Sequence, residues 1–414
     1  MATRVQSAGQ KRRSYCLSYF ISLCDVFYGR IFEPEIFLVL VILIVLFIVI
    51  WHHVLSIFVG EMKPTSIELL PSQPDGPGNR LEGYKFILIW SGCFGVKDCG
   101  WGGSSYFFAN IGCPEERCMV ITDRNQLARA DVVVFHVRDM RFVLFTLDVP
   151  SHRDPDQVWV FFTHESPYNT YVSSGFLPTT NTLTYLDGMF NATMTYMRES
   201  DFFLPYISYS PINRSLESYT VVPDKSRQVL WLVSNCKSDS RRSEYVVVLK
   251  QYIQVDVYGN CGKADPCRGN ATCSNALIEQ YKFYLAFENA ECRDYVTEKF
   301  WRSLRHGVVP VVLGATVAEY EALAPPNSFL HVDNFTSIRS LADYLLYLDR
   351  NPAAYGRYLE WRRHFEISSR ASDLALCRMC SVAHNKSLLR RQSYKISEWY
   401  SVKRLCRKTD RTLS

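Results

Sequence analysis

Residues 281–314, YKFYLAFENAECRDYVTEKFWRSLRHGVVPVVLG, constrain the fold more than any other stretch of the chain. The apolar run Phe283 to Phe287 reads as a buried strand ending in a polar turn at Glu288-Asn289. Asp294 is a candidate N-cap for a helix running to His306, with Gly307 as its stop. At 100° per residue Val296, Phe300, Trp301 and Leu304 share one side of that helix, predicted to pack on a sheet. Tyr295, Lys299 and Arg302 share the opposite side, with Glu298 at its edge. A second apolar run, Val308 to Leu313, closes a strand–helix–strand unit; Pro310 lacks an N–H, which predicts a late start or a bulge. Such a unit aims a polar loop and a helix N-terminus at the carboxyl ends of the strands, where open α/β sheets bind anionic nucleotides. Lys299 lies within reach of a diphosphate there. Spacing alone equally allows a plain βαβ unit in which Lys299 and Glu298 form a solvated pair.

The N-terminal region sets the compartment. Ile36 to Gly60 contains no Asp, Glu, Lys or Arg and is long enough to span a bilayer. Arg4, Lys11, Arg12, Arg13 and Arg30 precede it and only Lys63 follows closely, which predicts a cytosolic N-terminus and an exported body, a type II signal anchor. Of 14 cysteines, Cys16 and Cys24 then fall on the cytosolic side. The other twelve enter an oxidising lumen, where an even number predicts disulfides. Sequons at Asn191, Asn213, Asn270, Asn334 and Asn385 are usable in that compartment. A formal net charge of +5, without basic stretches interleaved with aromatics, argues against nucleic-acid binding.

Along the chain, residues 1–35 read as a cytosolic tail, 36–60 as the anchor and 61–82 as a Pro/Gly-rich flexible stem. Lys85 to Trp90, Asp131 to His136 and Gln157 to Thr163 are strand candidates of a first α/β layer (83–222). The third runs into His164-Glu165-Ser166-Pro167, a carboxylate in a Pro-restrained turn at a strand end. Pro211 to Lys225 reads as a linker, and Val229 to Val233 opens a second layer (223–363). An extension (364–414) carries Cys377-Arg378-Met379-Cys380. That CxxC, like Cys113 and Cys118, fits zinc, but no second paired motif accompanies either, so disulfides are expected. Arg198 and Asp201 are expected to form a structural ion pair.

FYLAFEN (283–289), DYVTEK-x-W (294–301) and VPVVLG (309–314) together resemble the signature of the α1,3-fucosyltransferases, glycosyltransferase family 10. HESP (164–167) resembles the family motif whose Glu is the proposed base. FNATMTYMRESD (190–201) and SNCKSDSRRSEY (234–245) resemble two further segments, with Glu199 in place of an Asp and Cys236 in place of a Trp. The cysteine pattern is similar to that of invertebrate members. The resemblance covers 84–363 and implies a GT-B fold, two Rossmann-like domains facing a cleft. It implies inverting transfer of L-fucose from GDP-β-L-fucose to the 3-hydroxyl of a GlcNAc unit in a glycoprotein or oligosaccharide acceptor. Glu165 is then the catalytic base, with His164 in reserve. Arg242 and Lys299, with the helix N-terminus, neutralise the departing diphosphate, and Asn289, Tyr295 and Glu298 bind the donor. No D-x-D motif follows the carboxyl end of a candidate strand, so no metal cofactor is expected and Mn²⁺ would at most stimulate. The resemblance further implies a Golgi membrane enzyme with its catalytic part luminal, homodimerisation being left open. A transferase with another nucleotide sugar, or an inactive glycan-binding protein of the same fold, are the competing readings; N-glycan core and Lewis-type antenna remain alternative acceptors.

Overall fold

In each of two parallel sheets the first strand lies inside the sheet, not at its edge. This computed structural model describes residues 68–69, 83–102, 106–140, 142–143, 146–170, 182–212, 225–368, 370–389 and 393–408. The expected cytosolic tail, membrane anchor and nearly all of the stem lie outside the described residues, as do Cys16, Cys24, Asn213 and most of the expected linker. Among the described residues no helix is long and apolar enough to cross a membrane.

The first sheet comprises β1 (Lys85–Ile89), β2 (Cys118–Ile121), β3 (Val132–His136), β4 (Val158–Phe162), β5 (Ala192–Thr195) and β6 (Phe202–Phe203). Their spatial order is β6-β5-β4-β3-β1-β2, with every neighbouring pair parallel. The second sheet comprises β7 (Arg227–Leu232), β8 (Val255–Tyr258), β9 (Tyr281–Phe287), β10 (Val309–Leu313) and β11 (Leu330–His331), in the order β8-β7-β9-β10-β11, again all parallel. Winding therefore reverses between β1 and β3, and again between β7 and β9. Open α/β sheets bind ligands outside the carboxyl ends of the strands at such reversals.

Both faces of the second sheet are covered, which explains its uninterrupted apolar runs. Phe283, Leu285 and Phe287 pack with helices α1 (Arg242–Leu249) and, later in the chain, Ile338–Arg350. Tyr284 and Ala286 face the other way, toward α2 (Ala271–Glu279) and α3 (Glu298–Arg305). Val296, Phe300, Trp301 and Leu304 are all buried there, as their spacing predicts.

The start of α3 differs from expectation: Thr297, not Asp294, is its N-cap. The Asp294 carboxylate accepts from the Arg198 backbone N–H (3.1 Å) and Nε (2.9 Å), and its backbone is left-handed at φ 57°. Residues 295–297 consequently form no helical turn. Nor does Pro310 cause a bulge. β10 pairs in unbroken register with Phe283–Phe287, and its other neighbour β11 joins only at Val311, so the missing N–H falls where one neighbour is present.

The first sheet is covered largely by the C-terminal extension. Helix Ala371–His384 packs on the face carrying Ile87, Ile89, Val132 and Val134, while Tyr394, Ile396, Trp399 and Tyr400 pack on the face carrying Val133, Phe135, Trp159 and Phe161. Cys377 and Cys380, three apart on one helical face, reach Cys113 and Cys118 on either side of the start of β2. The remaining disulfides are Cys93–Cys99, Cys236–Cys261, Cys267–Cys273 and Cys292–Cys406, so all twelve cysteines among the described residues are paired. Cys118, Cys380 and His384 lie close enough for a metal site, but the two sulfurs are bonded to each other.

Because the extension is core to the first sheet, Cys118→Ser combined with Cys380→Ser should lower stability by about 2–5 kcal/mol, read as a fall in the urea midpoint.

Candidate functional site

The site is built around a carboxylate with no exposure to solvent. Glu288 follows the last residue of β9, beside the reversal of the second sheet, and is fully buried. Its Oε1 accepts from the Thr297 N–H and hydroxyl, both at 2.8 Å, and its Oε2 from Lys299 Nζ at 3.1 Å. Burial pushes the Glu288 carboxyl upward against the pull of Lys299. Burial alone would depress the Lys299 ammonium, but attraction to Glu288 and Glu298 lifts it above its ordinary value. Gly314, which ends VPVVLG, makes room for this group. A Cβ there would lie 2.9 Å from Glu288 Cγ and 3.1 Å from its Cβ, so the glycine is required sterically.

Lys299 also donates to Thr297 Oγ1 (2.8 Å) and to the half-exposed Glu298 (3.2 Å). The two residues do form a pair, but one anchored by Glu288. Glu288 already accepts from the N–H of the N-cap residue Thr297, so that one donor at the helix start is engaged. Arg242 opens α1 and is buried, while its neighbour Arg241 is exposed and pairs with Glu244. The Arg242 guanidinium donates to the carbonyls of Phe287 (2.6 Å) and Asn235 (2.9 Å), at the ends of the two strands flanking the reversal. Arg242 Nε and Asn289 Oδ1 are buried with no hydrogen-bond partner among the described residues. One orphan donor and one orphan acceptor, both beside the reversal, mark a place where a polar ligand would be held.

Glu165 follows β4 in the first layer, and the fold brings it to this loop. Tyr295 Oη donates to Glu165 Oε2 at 3.4 Å, and the Arg138 guanidinium, just past β3, stands 3.4 Å from Oε1. Tyr400 Oη, from the extension, donates to the Glu165 carbonyl. Tyr295 is buried against Tyr196 and Tyr206, with ring centroids at 4.9 and 6.2 Å. Burial holds its phenol well above its usual range, so it stays a neutral donor. His164 stacks on Tyr206 at 4.8 Å and donates from Nε2 to the Leu204 carbonyl at 2.8 Å. A reserve base is poorly served by that geometry: burial lowers its pKa to about 4.

The loop between β9 and α3 is tied down from three directions. Asp294 pairs with Arg198 of the first layer, Arg407 pairs with buried Glu291 at 2.7 Å, and Cys292 is bonded to Cys406. The expected Arg198–Asp201 pair does not form. Asp201 is buried and accepts instead from the Thr193 N–H (2.9 Å) and from Tyr394 Oη (2.7 Å), a structural role by other partners. Glu199 pairs with Arg293 and Arg404. Glu288 and Thr297 stand inside the quoted motifs but were assigned no site role, and Arg138, Tyr206 and Tyr400 stand in none of them. A buried acid preceding a lysine-bearing helix start was the available signal for Glu288, but nothing local points to Arg138 or Tyr400.

The sequons differ in setting. Asn191 accepts from Trp159 N at 2.7 Å and donates to the Gln157 carbonyl at 3.3 Å, so its amide is engaged with the sheet. Asn270, Asn334 and Asn385 are exposed, the first capping α2.

Two layers meeting through an acid, a phenol and an anchored lysine at strand ends are the parts of a group-transfer site, and sequence comparison says which group. Residues 82–207 match the family described as "Fucosyltransferase, N-terminal" and residues 222–399 match "Glycosyltransferase family 10 (fucosyltransferase) C-term". The chain is an enzyme of glycosyltransferase family 10, a fucosyltransferase. It is 40% identical to the Bos taurus 3-galactosyl-N-acetylglucosaminide 4-alpha-L-fucosyltransferase, over 80% of this chain and 91% of the relative. It is 32% identical to the Drosophila melanogaster glycoprotein 3-alpha-L-fucosyltransferase A, over 72% of this chain and 57% of that one. A crystal structure titled alpha1,3-fucosyltransferase with GDP-fucose aligns with a TM-score of 0.44 at 18% identity, covering 80% of this chain and 96% of that one.

His164 gives a pH signature. Its folded pKa of about 4 lies below its unfolded value, so between about 6.5 and 4 the unfolded chain binds a proton the folded one refuses, and stability falls with pH by up to about 3 kcal/mol. In urea titrations between pH 7 and pH 4.5, His164→Gln should recover about 2–3 kcal/mol of the wild-type loss.

Proposed function

We propose that this chain transfers L-fucose with inversion from GDP-β-L-fucose to the 3-hydroxyl of a GlcNAc unit in a glycoprotein glycan, in a GT-B arrangement whose cleft lies between the two sheets. The observation that carries this reading is the meeting of Glu165 and Tyr295 across the layers, beside the Glu288–Lys299 pair. Glu165 takes the proton of the acceptor hydroxyl while that oxygen attacks the anomeric carbon of fucose. The anomeric C–O bond to the diphosphate breaks on the opposite face, and its electron pair leaves with GDP. Arg138 and Tyr295 fix the two Glu165 oxygens, so the base is oriented before the acceptor arrives.

Lys299 and Arg242 stabilise the departing diphosphate, and Asn289, Tyr295 and Glu298 hold the donor's sugars. Arg242 offers its unpartnered Nε and Asn289 its unpartnered Oδ1. The lysine and arginine supply the positive charge that a metal would bring, so a metal ion is dispensable and Mn²⁺ at most stimulates. A type II anchor in the Golgi membrane with a luminal catalytic part fits the apolar stretch 36–60 and the disulfide count.

Glu165→Gln should lower kcat by about 10²–10⁴-fold with little change in the KM for GDP-fucose, measured as GDP release with an N-acetyllactosamine or core N-glycan acceptor. Unchanged transfer would remove Glu165 as the base, and mass spectrometry and linkage analysis of the two products identify the acceptor hydroxyl. Activity should persist in excess EDTA; loss with EDTA and return with Mn²⁺ would overturn the metal-free reading.

A further inference from the structure

β11 is the outer strand of the second sheet and only two residues long, and its Leu330 lines one end of an open groove. The groove comprises two adjoining cavities of about 590 and 290 Å³ that share Asn327, Tyr344 and Tyr358 as lining residues. Trp361 lines the larger one and Asn334, the sequon asparagine, lines the smaller. The groove lies two strands from β9, whose carboxyl end carries the catalytic loop, so it is separate from the donor site.

We propose that an N-glycan carried by Asn334 lies back along this groove, its first sugars against Tyr344 and Tyr358 and a hydroxyl or acetamido oxygen accepting from Trp361. The inference rests on the luminal reading above, because only a secretory chain acquires such a glycan. Three observations converge on a saccharide. Trp361 is 5% exposed and its Nε1–H, which can only donate, has no partner among the described residues. A buried donor left unmade costs about 1–3 kcal/mol, so an acceptor there is favoured. The Tyr344 and Tyr358 hydroxyls are hydrogen-bonded at 3.0 Å, which fixes both phenols at the junction of the cavities. Arg357 and Glu360 add charged hydrogen-bonding groups to the aromatic wall. Apolar faces with a few polar groups between them complement a pyranose, which has C–H faces and hydroxyl edges. A short edge strand also profits from a cover that blocks pairing with another chain. The other exposed sequons, Asn270 and Asn385, line neither cavity.

The test uses the full chain made in a eukaryotic secretory host, with glycopeptide mass spectrometry after timed peptide-N-glycosidase treatment of the native protein. The Asn334 glycan should be released about tenfold more slowly than the Asn385 glycan, and Tyr344→Ala with Tyr358→Ala should bring the two rates within about twofold. Independently of that double variant, Asn334→Gln should raise hydrogen–deuterium exchange in residues 344–361, and Asn385→Gln should not. Equal native release rates, no change in exchange on Asn334→Gln, or an unmodified Asn334 beside modified Asn270 and Asn385 would each overturn the proposal. Absence of glycan at every sequon would overturn it together with the luminal reading, while fucosyl transfer, assayed in parallel, reports separately on the catalytic assignment.

Discussion

A carboxylate with no exposure has to be answered by its surroundings, and the answers given to Glu288 organise the second layer. Its partners, Thr297 and Lys299, begin α3, so the position of the helix start is set from the preceding strand. Gly314 closes the other side of the same group from the next strand. Strand, helix and strand are thus locked around one acid. Breaking such a pair by removing one partner is worth about 3–5 kcal/mol, far more than a solvated pair of the same residues. The arrangement has the further effect of placing Lys299 Nζ at the reversal of the sheet, where its charge is useful.

The first layer depends on chain that arrives last. Its strands are joined mainly by loops and short 3₁₀ turns, and the covering helix and aromatic segment come from residues 371–405. Two disulfides fix that helix to β2 and the segment before it, and a third, Cys292–Cys406, ties the end of the same extension to the loop between β9 and α3. The extension therefore touches both layers. Tyr400 donates to the Glu165 carbonyl and Arg407 grips Glu291, so Glu165 and the loop between β9 and α3 share one support.

What could be read from the sequence divides along these lines. The strand–helix–strand unit was legible because its apolar runs and helical face are local patterns. The helix start was misplaced because Asp294 has the chemistry of a cap, yet its carboxylate answers a guanidinium far away in sequence, Arg198. β2, β5 and β6 were not anticipated: β2 and β6 are apolar but only four and two residues long, and β5 alternates apolar residues with Thr193 and Thr195, whose hydroxyls are satisfied by Asp201 and Ser200. The CxxC could be assigned to disulfides, but its partners could not, since only the fold brings residues more than 260 apart in sequence together. Among site residues, motif matches led to Glu165, Asn289, Tyr295 and Lys299. Arg138 stands in no motif and reaches Glu165 only through the adjacency of β3 and β4.

The charges at the donor end are less bare than a row of basic letters suggests, and this bears on how a diphosphate could be bound and released. Arg242 is held by two backbone carbonyls, and Lys299 is shared between two acids. Those acids are not equivalent. Glu288 is fully buried and fixed by Thr297, whereas Glu298 is half exposed, and an exposed pair is worth about 0–1 kcal/mol. Lys299 accordingly has one partner that sets its position and one that an incoming anion can displace at little cost. Loss of that anion would return Lys299 to Glu298 just as readily, so under the proposed function the same pair would both admit a diphosphate and limit how tightly it is kept.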